Sequence, residues 1–509
     1  MTRQIRTIGI VGTGTMGRGI AQIGVLAGMT VHLHDARNGA AAEAAQFVTQ
    51  MLERLVEKRR LGAGAAEEAH ARLVVEPDLE GLASCDLVVE AIVEDLAAKQ
   101  KLFARLERQV REDAVLASNT SSLSITAIAA GCAHPERVAG YHFFNPVPLM
   151  KVVEVVGGAR TEPAVLDALC ELATAMGHRP VRAADTPGFL VNHAGRGFGT
   201  EALAIAAELV ADFATIDLVL REGAGFRMGP FELMDVTALD VSHPVMEEIY
   251  RQCYDEPRFR PSVITRQRLA AGLLGRKAGE GFYRYGGNGQ EGRLPVFPQG
   301  DRGLVGSVFV GAAEDEAARA ALADDLAGAG LALAEDGTTA DLCVVMPFGH
   351  DCTTAALAQG LDPEKTVAVD PVAGFDGSPI LARVAVVMTN PATRADLALC
   401  LRELLARPDR PAVVIADSPG FVAQRVIATI ANIACEIAQR GIASPADIDV
   451  AVHLGLGYPK GPLALADTVG PARIVTILDR LLEATGDPRY RTSPWLRRRA
   501  ALGMGLAGV

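Results

Sequence analysis

An internal repeat constrains this chain more than any other feature. Asp185-Thr-Pro-Gly-Phe189 returns as Asp417-Ser-Pro-Gly-Phe421, and 417 − 185 = 232. Met228-Gly-Pro-Phe-Glu-Leu-Met-Asp235 returns as Lys460-Gly-Pro-Leu-Ala-Leu-Ala-Asp467 at that same offset, and Ile216-Asp217 returns as Ile448-Asp449. Three matches at one spacing mark a supersecondary plan built twice in tandem.

The plan itself is read from periodicity. Strand-like runs at Thr7–Val11, Thr30–Asp35, Leu73–Val75, Leu87–Glu90, Val115–Ser118, Val138–Tyr141 and Val152–Val156 alternate with Ala-rich helical stretches. That alternation predicts βαβ units and a mainly parallel sheet. From Asp185 to about Tyr285 helix-forming sequence dominates, and the polar, glycine-rich stretch 286–304 reads as a linker. Short apolar runs then recur at Val308–Val310, Leu342–Val345, Thr366–Val369, Val384–Met388 and Ala412–Ile415, followed by helical sequence to the end. The expected architecture is an α/β Rossmann-type domain (1–187) with an all-α helical domain (188–285), the linker, a second sheet domain (305–415) and a second helical domain (416–509).

Charge and cysteine usage narrow the partners. The net charge of −12 over 509 residues argues against nucleic acid, which needs clustered Lys and Arg. One local basic segment, 54–60, holds Lys58, Arg59 and Arg60 and could serve a small phosphorylated ligand. Eight scattered cysteines with no CxxC pair fit a reducing compartment, and no metal-ligand spacing occurs. No apolar run reaches the ~18 residues of a membrane span, so the expectation is a soluble cytoplasmic protein with no membrane partner.

Gly12-Thr-Gly-Thr-Met-Gly17 is a GxGxxG that follows the first strand and opens a helix. Gly12 permits the turn, Gly14 lets a pyrophosphate approach the backbone, and Gly17 lets helix and strand pack. Thr15 and Met16 begin the helix, whose free N–H groups and positive dipole end favour phosphate. Asp35, at the end of the second strand, can accept hydrogen bonds from ribose hydroxyls and would repel a 2′-phosphate, which favours NAD over NADP despite the nearby Arg37.

Two further strands carry the chemistry. Ser118-Asn-Thr-Ser-Ser-Leu123 follows the strand Val115–Ser118 at the carboxyl edge of a parallel sheet, where ligands bind. The next strand ends in Tyr141-His-Phe-Phe-Asn-Pro146, and the one after it places Glu154 among valines. A carboxylate in such a strand is costly unless paired, and His142 is its natural partner. Paired this way the imidazole is oriented and made more basic, as a general base requires.

GTGTMG, VVEAIVED, SNTSSL, HFFNPVPLMKVVEV, DTPGFLVN and GRKAGEGFY occur over residues 7 to about 285 in the order that the L-3-hydroxyacyl-CoA dehydrogenase family of fatty-acid β-oxidation shows, and the chain resembles that family. The resemblance implies NAD-dependent oxidation of a 3-hydroxyacyl-CoA, with His142 as base and Glu154 as its partner. It also implies that Asn192 completes the site and that Ser121 contacts substrate and cofactor. Glu94, Lys99, Asn145 and Lys277 match cofactor-contacting positions, and Lys58 matches a lysine that contacts CoA. The tandem layout and the segment Gly225-Phe-Arg-Met-Gly229 resemble the 3-hydroxyadipyl-CoA or 3-hydroxybutyryl-CoA enzymes of bacterial phenylacetate degradation. Arg227 could pair with a distal carboxylate of such a substrate.

The second copy lacks these parts. Its first strand, in Val305-Gly-Ser-Val-Phe-Val-Gly311, opens no GxGxxG, Arg383–Pro391 reads as its counterpart of HFFNP without the histidine, and Gln424 stands at Asn192 plus 232. A degenerate sheet domain without NAD binding is expected. In single-copy relatives two helical domains pair across a dimer. A tandem chain could make that pairing internally, and a homo-oligomer stays open. Two alternatives accompany this reading: an NAD-binding protein without catalysis, and a free 3-hydroxyacid dehydrogenase.

Overall fold

The computed structural model describes residues 5–286, 289–292 and 294–508; three residues of the expected 286–304 linker, 287, 288 and 293, lie outside that set. The chain divides into two compact bodies, Met1–His193 with Arg440–Leu456, and Ala194–Gln439 with Gly457–Val509.

The first body is built on an eight-stranded sheet of β1 (Thr7–Val11), β2 (Thr30–His34), β3 (Leu73–Val75), β4 (Leu87–Glu90), β5 (Val115–Ser118), β6 (Val138–Phe143), β7 (Val152–Gly157) and β8 (Arg179–Ala184), in the order β3-β2-β1-β4-β5-β6-β7-β8. β1, β4, β5, β6 and β7 read as continuous apolar runs because both sheet faces are covered. Every pairing is parallel except β6–β7, which is antiparallel and sets His142 opposite Glu154. Helix α1 (Thr15–Leu26) begins directly after the glycine turn, and α2 (Ala40–Glu57) buries Ala40, Ala41, Ala44, Val48 and Leu52 along one face. Glycine is required in the turn: Gly12 has φ +92°, and a Cβ there would lie 2.6 Å from the Ala91 carbonyl oxygen. The segment 440–456 completes this body. Its helix Pro445–Leu456 lies against the sheet, Ala184 N–H donates to the Ile442 carbonyl at 2.9 Å, and a Cβ on Gly455 would meet Val191 at 3.0 Å.

The second body holds a short hairpin, β9 (Arg284–Gly286) with β10 (Gly289–Glu291), and a six-stranded sheet. The sheet comprises β11 (Ser307–Val310), β12 (Ala332–Leu333), β13 (Leu342–Val345), β14 (Thr366–Val369), β15 (Ala385–Thr389) and β16 (Ala412–Ile415), ordered β12-β11-β13-β14-β15-β16. Its single antiparallel pairing is β14–β15. Here Ala416 N–H donates to the Val210 carbonyl at 2.9 Å. The helices Arg196–Ala207 and Ala423–Gln439 cross with Gly197 beside Thr429 and Ile433, where a Cβ would come within 2.9 Å of Ile433. Arg425 is fully buried at this crossing and binds Glu201 at 2.8 Å, Glu208 at 2.5 Å and the Tyr490 hydroxyl at 2.8 Å. Two carboxylates and a hydroxyl around one guanidinium satisfy a group whose unpaired burial would cost several kcal/mol.

One expectation is corrected by strand pairing. β15 lies antiparallel to β14 and parallel to β16, so Arg383–Pro391 covers the counterpart of β7 and not of the HFFNP strand. The place of β6 belongs to β14. Only β13 lies between β11 and β14, one strand fewer than in the first sheet, so the 232-residue offset no longer applies upstream of β15.

Candidate active site

The turn between β1 and α1 is shaped for a dinucleotide. Gly14 is exposed with open space around it, while a Cβ on Gly17 would lie 2.0 Å from the Gly12 carbonyl oxygen. Thr15 and Met16 start α1 behind them. Asp35 accepts from Thr13 N–H at 2.7 Å, from the Thr13 hydroxyl at 2.9 Å and from Arg37 N–H at 2.9 Å. Burial opposes its charge, but the backbone donors of Thr13 and Arg37 and the Thr13 hydroxyl outweigh it, and its carboxyl is held below the usual range. Arg37 forks onto Glu43 at 2.9 and 2.5 Å instead of turning a free cation toward a 2′-phosphate. These residues fit NAD.

Two acids from the VVEAIVED segment organise the carboxyl ends of β4 and β5. Glu90 is fully buried and accepts from Lys99 Nζ at 2.5 Å, Ile92 N–H at 2.7 Å and the Ser118 hydroxyl at 2.7 Å. Glu94 accepts from the Thr120 hydroxyl at 2.7 Å and from Ser121 and Ser122 N–H at 2.9 and 3.0 Å. Burial raises its pKa, but the Thr120 hydroxyl, the Lys99 charge and the Ser121 and Ser122 donors bring it below its ordinary value. Ser121 is therefore held by its own backbone, with its hydroxyl 3.3 Å from Glu94. Lys99 is buried against these carboxylates rather than extended into solvent. The Glu90–Lys99–Ser118 cluster is not apparent from the sequence motifs, although an acid closing an apolar strand is the same signal that marks Glu154.

His142 Nδ1 lies 2.5 Å from Glu154 Oε2, and both residues are buried. The other carboxylate oxygen accepts from Leu190 and Val191 N–H, each at 2.8 Å. Those amides are free because Phe189 takes φ +50° in the turn of DTPGF, which leaves the first N–H groups of the following short helix without intrahelical acceptors. Asp185 ties this turn to the start of the helix Ile125–Ala129 that follows the SNTSSL loop: it accepts from the Ser124 hydroxyl at 2.7 Å and from Ile125 and Thr126 N–H at 2.9 and 2.7 Å. Phe144 and Phe189 stand edge-on to the imidazole at 4.5 and 5.8 Å between centroids. Asn119 Oδ1 accepts from Phe143 N–H at 2.9 Å and joins the β5 and β6 ends. Asn192 follows Val191 in the short helix, half-buried, and Asn145 lies two residues beyond the end of β6. Lys58 is exposed at the end of α2. Lys277 and Arg227 belong to the second body, where Lys277 pairs with Asp240 at 2.5 Å and Arg227 is exposed beside Gly457.

The family model for the NAD-binding domain of 3-hydroxyacyl-CoA dehydrogenase matches residues 7–186, and the model for its C-terminal domain matches 188–285 and again 420–506. The chain belongs to the 3-hydroxyacyl-CoA dehydrogenase family. It is accordingly an NAD-dependent oxidoreductase of 3-hydroxyacyl-CoA thioesters. A 3-hydroxyadipyl-CoA dehydrogenase of Escherichia coli K12 is 36% identical over 507 residues, covering 99% of both chains. A probable 3-hydroxybutyryl-CoA dehydrogenase of Deinococcus radiodurans is 39% identical over 277 residues, 54% of this chain and 99% of its own. The crystal structure of an E. coli 3-hydroxybutyryl-CoA dehydrogenase superposes with a TM-score of 0.85 at 34% identity, covering 98% of this chain and 99% of that one. Among the described residues no helix is long and apolar enough to cross a membrane, and no cluster of three or more His, Cys, Asp or Glu could hold a metal ion.

The second module carries different groups at the corresponding places. Glu154 plus 232 is Val386, and Asp370 N–H donates to its carbonyl, so Asp370 takes the register position of His142. Gln424, at the Asn192 position, donates to Asp370 at 2.8 Å. Asp370 is fully buried, its second oxygen has no hydrogen-bond partner among the described residues, and burial pushes its carboxyl up to about 7 against the hydrogen bond from Gln424. The turn after β11 offers carboxylates instead of glycine amides: Glu314 pairs with Arg480, Asp315 with Arg473, and the Gln359 side chain takes the Ala312 N–H at 2.9 Å.

Proposed function

We propose that His142 removes the 3-hydroxyl proton of the substrate while Glu154 holds the imidazole and stabilises its charged form. The observation that carries this is the 2.5 Å His142–Glu154 bond, with Glu154 clamped from behind by two backbone amides. Because the carboxylate accepts at Nδ1, the neutral imidazole keeps its proton there and presents the Nε2 lone pair as base. Bound NAD supplies the hydride acceptor. Gly12, Gly14 and Gly17 with the first turn of α1 (Thr15, Met16) receive its phosphates, and Asp35 receives its ribose. Ser121 and Asn192 position the substrate oxygens. Glu94, Lys99, Asn145 and Lys277 complete the cofactor set, and Lys58 meets CoA, as the resemblance implies.

The preferred substrates are short-chain or dicarboxylic 3-hydroxyacyl-CoA esters, supported by the activities named for the relatives and by the exposed Arg227. The chain acts as an internal pseudo-dimer with a degenerate second module. Ala184–Ile442 in the first body and Ala416–Val210 in the second are the same hydrogen bond at an offset of 232, and within the second body Gly197 meets Thr429, its own counterpart. A cytoplasmic setting belongs to this reading, supported by eight cysteines that are all free thiols. A panel of 3-hydroxyacyl-CoA esters with NAD and NADP tests the whole. Turnover of 3-hydroxybutyryl-CoA or 3-hydroxyadipyl-CoA with NAD is expected, and turnover of the free hydroxy acids alone would refute it. An Arg227→Ala variant that loses equally on both esters would remove the distal-carboxylate role.

A further inference from the structure

Within the second body, the crossing of the helices Arg196–Ala207 and Ala423–Gln439 sets matching places of the two copies together, since Gly197 stands against Thr429. The charges at this crossing do not match. Glu201 is buried and accepts from Arg425 Nε at 2.8 Å, from the Tyr490 hydroxyl at 2.7 Å and from Arg489 at 3.4 Å. Arg425, fully buried, also forks onto Glu208 at 2.5 and 3.0 Å and donates to the Ser418 hydroxyl at 3.1 Å. Both carboxylates of the cluster come from the first copy, and both guanidinium groups come from the second. At the offset of 232 the counterparts are Ile433 for Glu201, Arg440 for Glu208 and His193 for Arg425. The segments Pro257-Arg-Phe259 and Pro488-Arg-Tyr490 match at an offset of 231, so Phe259 answers Tyr490 and Arg258 answers Arg489.

We propose that this cluster decides partner choice: the first helical copy accepts only the second, so each chain pairs its own two copies and neither pairs with its like from another chain. The proposal rests on the internal pairing inferred above and adds what enforces it. Two first copies set together would bury Glu201 against a histidine and a phenylalanine, without the Arg425 charge or the Tyr490 hydroxyl. Two second copies would bury Arg425 against an isoleucine, with an arginine where Glu208 now stands. A pairing of like surfaces makes each contact twice, so either fault would be doubled. A buried charge stripped of its partner is strongly destabilising, and the unlike pairing leaves none. Arg489 does not discriminate, because its counterpart is also an arginine. Tethering through the stretch 286–304 raises the local concentration of the second copy, and the buried charges then bar the like pairing when two chains meet.

The test keeps the full chain. Arg425→His with Tyr490→Phe gives the second copy the residues of the first and so builds the like-with-like surface inside one molecule. Its melting temperature should fall by about 5–10 °C, and a variant that melts with the wild type would overturn the proposal. Partner choice is read with chains of two tag masses, Glu201→Arg on one and Arg425→Glu on the other, unfolded and refolded alone or together. Refolded together, they should give a mixed two-chain species by native mass spectrometry, about tenfold above the level from wild-type chains treated alike, because each first copy then finds its opposite charge in the other chain. Glu201→Arg with Arg425→Glu in one chain should return to a single-chain species. A mixed species no more abundant than that of the wild type would also overturn the proposal. The internal pairing is checked apart from these charges. Gly197→Cys with Thr429→Cys should oxidise to a disulfide within one chain, and a disulfide between chains, or none, would defeat the pairing itself whatever the charge variants do.

Discussion

Glu154→Gln isolates the step on which catalysis depends. The carboxylate has two separate duties: Oε1 accepts from Leu190 and Val191 N–H at 2.8 Å, and Oε2 faces His142 Nδ1 at 2.5 Å. A glutamine is nearly isosteric, and its orientation is dictated by the amides. Two N–H donors point at one end, so the carbonyl oxygen stays there and the –NH2 turns to His142. His142 Nδ1 must then accept, its proton moves to Nε2, and the lone pair that takes the substrate proton is lost. General-base assistance is worth roughly 10²–10⁴ in rate, about 3–5 kcal/mol of barrier. The corresponding exchange in a Ser-His-Asp triad costs about 10⁴ in kcat. Initial rates of 3-hydroxybutyryl-CoA oxidation, followed as NADH absorbance, should show kcat down by 10²–10⁴ with KM for NAD within about twofold. Raising the pH should not restore the rate, because the defect is a tautomer and not a titration. A Glu154→Gln enzyme that keeps more than about a tenth of wild-type kcat would refute this account of the pair.

Three other outcomes follow from the same geometry. Asp370 is an acid whose folded-state pKa is raised from 3.8 to about 7, so the folded chain binds the extra proton and stability falls as pH rises from about 4 to about 7. Asp370→Asn, which keeps the Gln424 bond and places no charge there, should melt higher than wild type at pH 8, by an amount on the order of 4 kcal/mol at most, and should match it near pH 4; equal gains at both pH values would exclude a titrating Asp370. Gly455→Val places methyl groups against Val191, 3.0 Å from where its Cβ would stand, and so displaces an amide that holds Glu154. Thermal melting and kcat should both fall, with overpacking costing about 1–3 kcal/mol, and an unchanged kcat would separate the helix 445–456 from catalysis. Calorimetric titration with NAD should give one site per chain, because carboxylates at 314 and 315 occupy the second turn; two equal sites would contradict the degenerate reading.

Much of this protein is written locally. The glycine turn is legible because it needs particular backbone freedom at Gly12 and close approach at Gly17, and only glycine supplies both. The alternation of strands and helices is a periodicity within short windows, and the repeat is a plain comparison of the chain with itself. The His142–Glu154 pair was inferable because an acid in an apolar strand demands a partner close by, and a short antiparallel connection delivers one. Other features depend on chain segments far apart. The amides of Leu190 and Val191 meet Glu154 across 36 and 37 residues, and Ile442 meets Ala184 across more than half the chain. Nor does the sequence reveal that Asp370 takes the histidine's place, because the second sheet is one strand shorter between β11 and β14 and its register follows pairing rather than residue count. Motifs state what each segment can do alone; burial and strand pairing, which are properties of the packed whole, decide which segments meet.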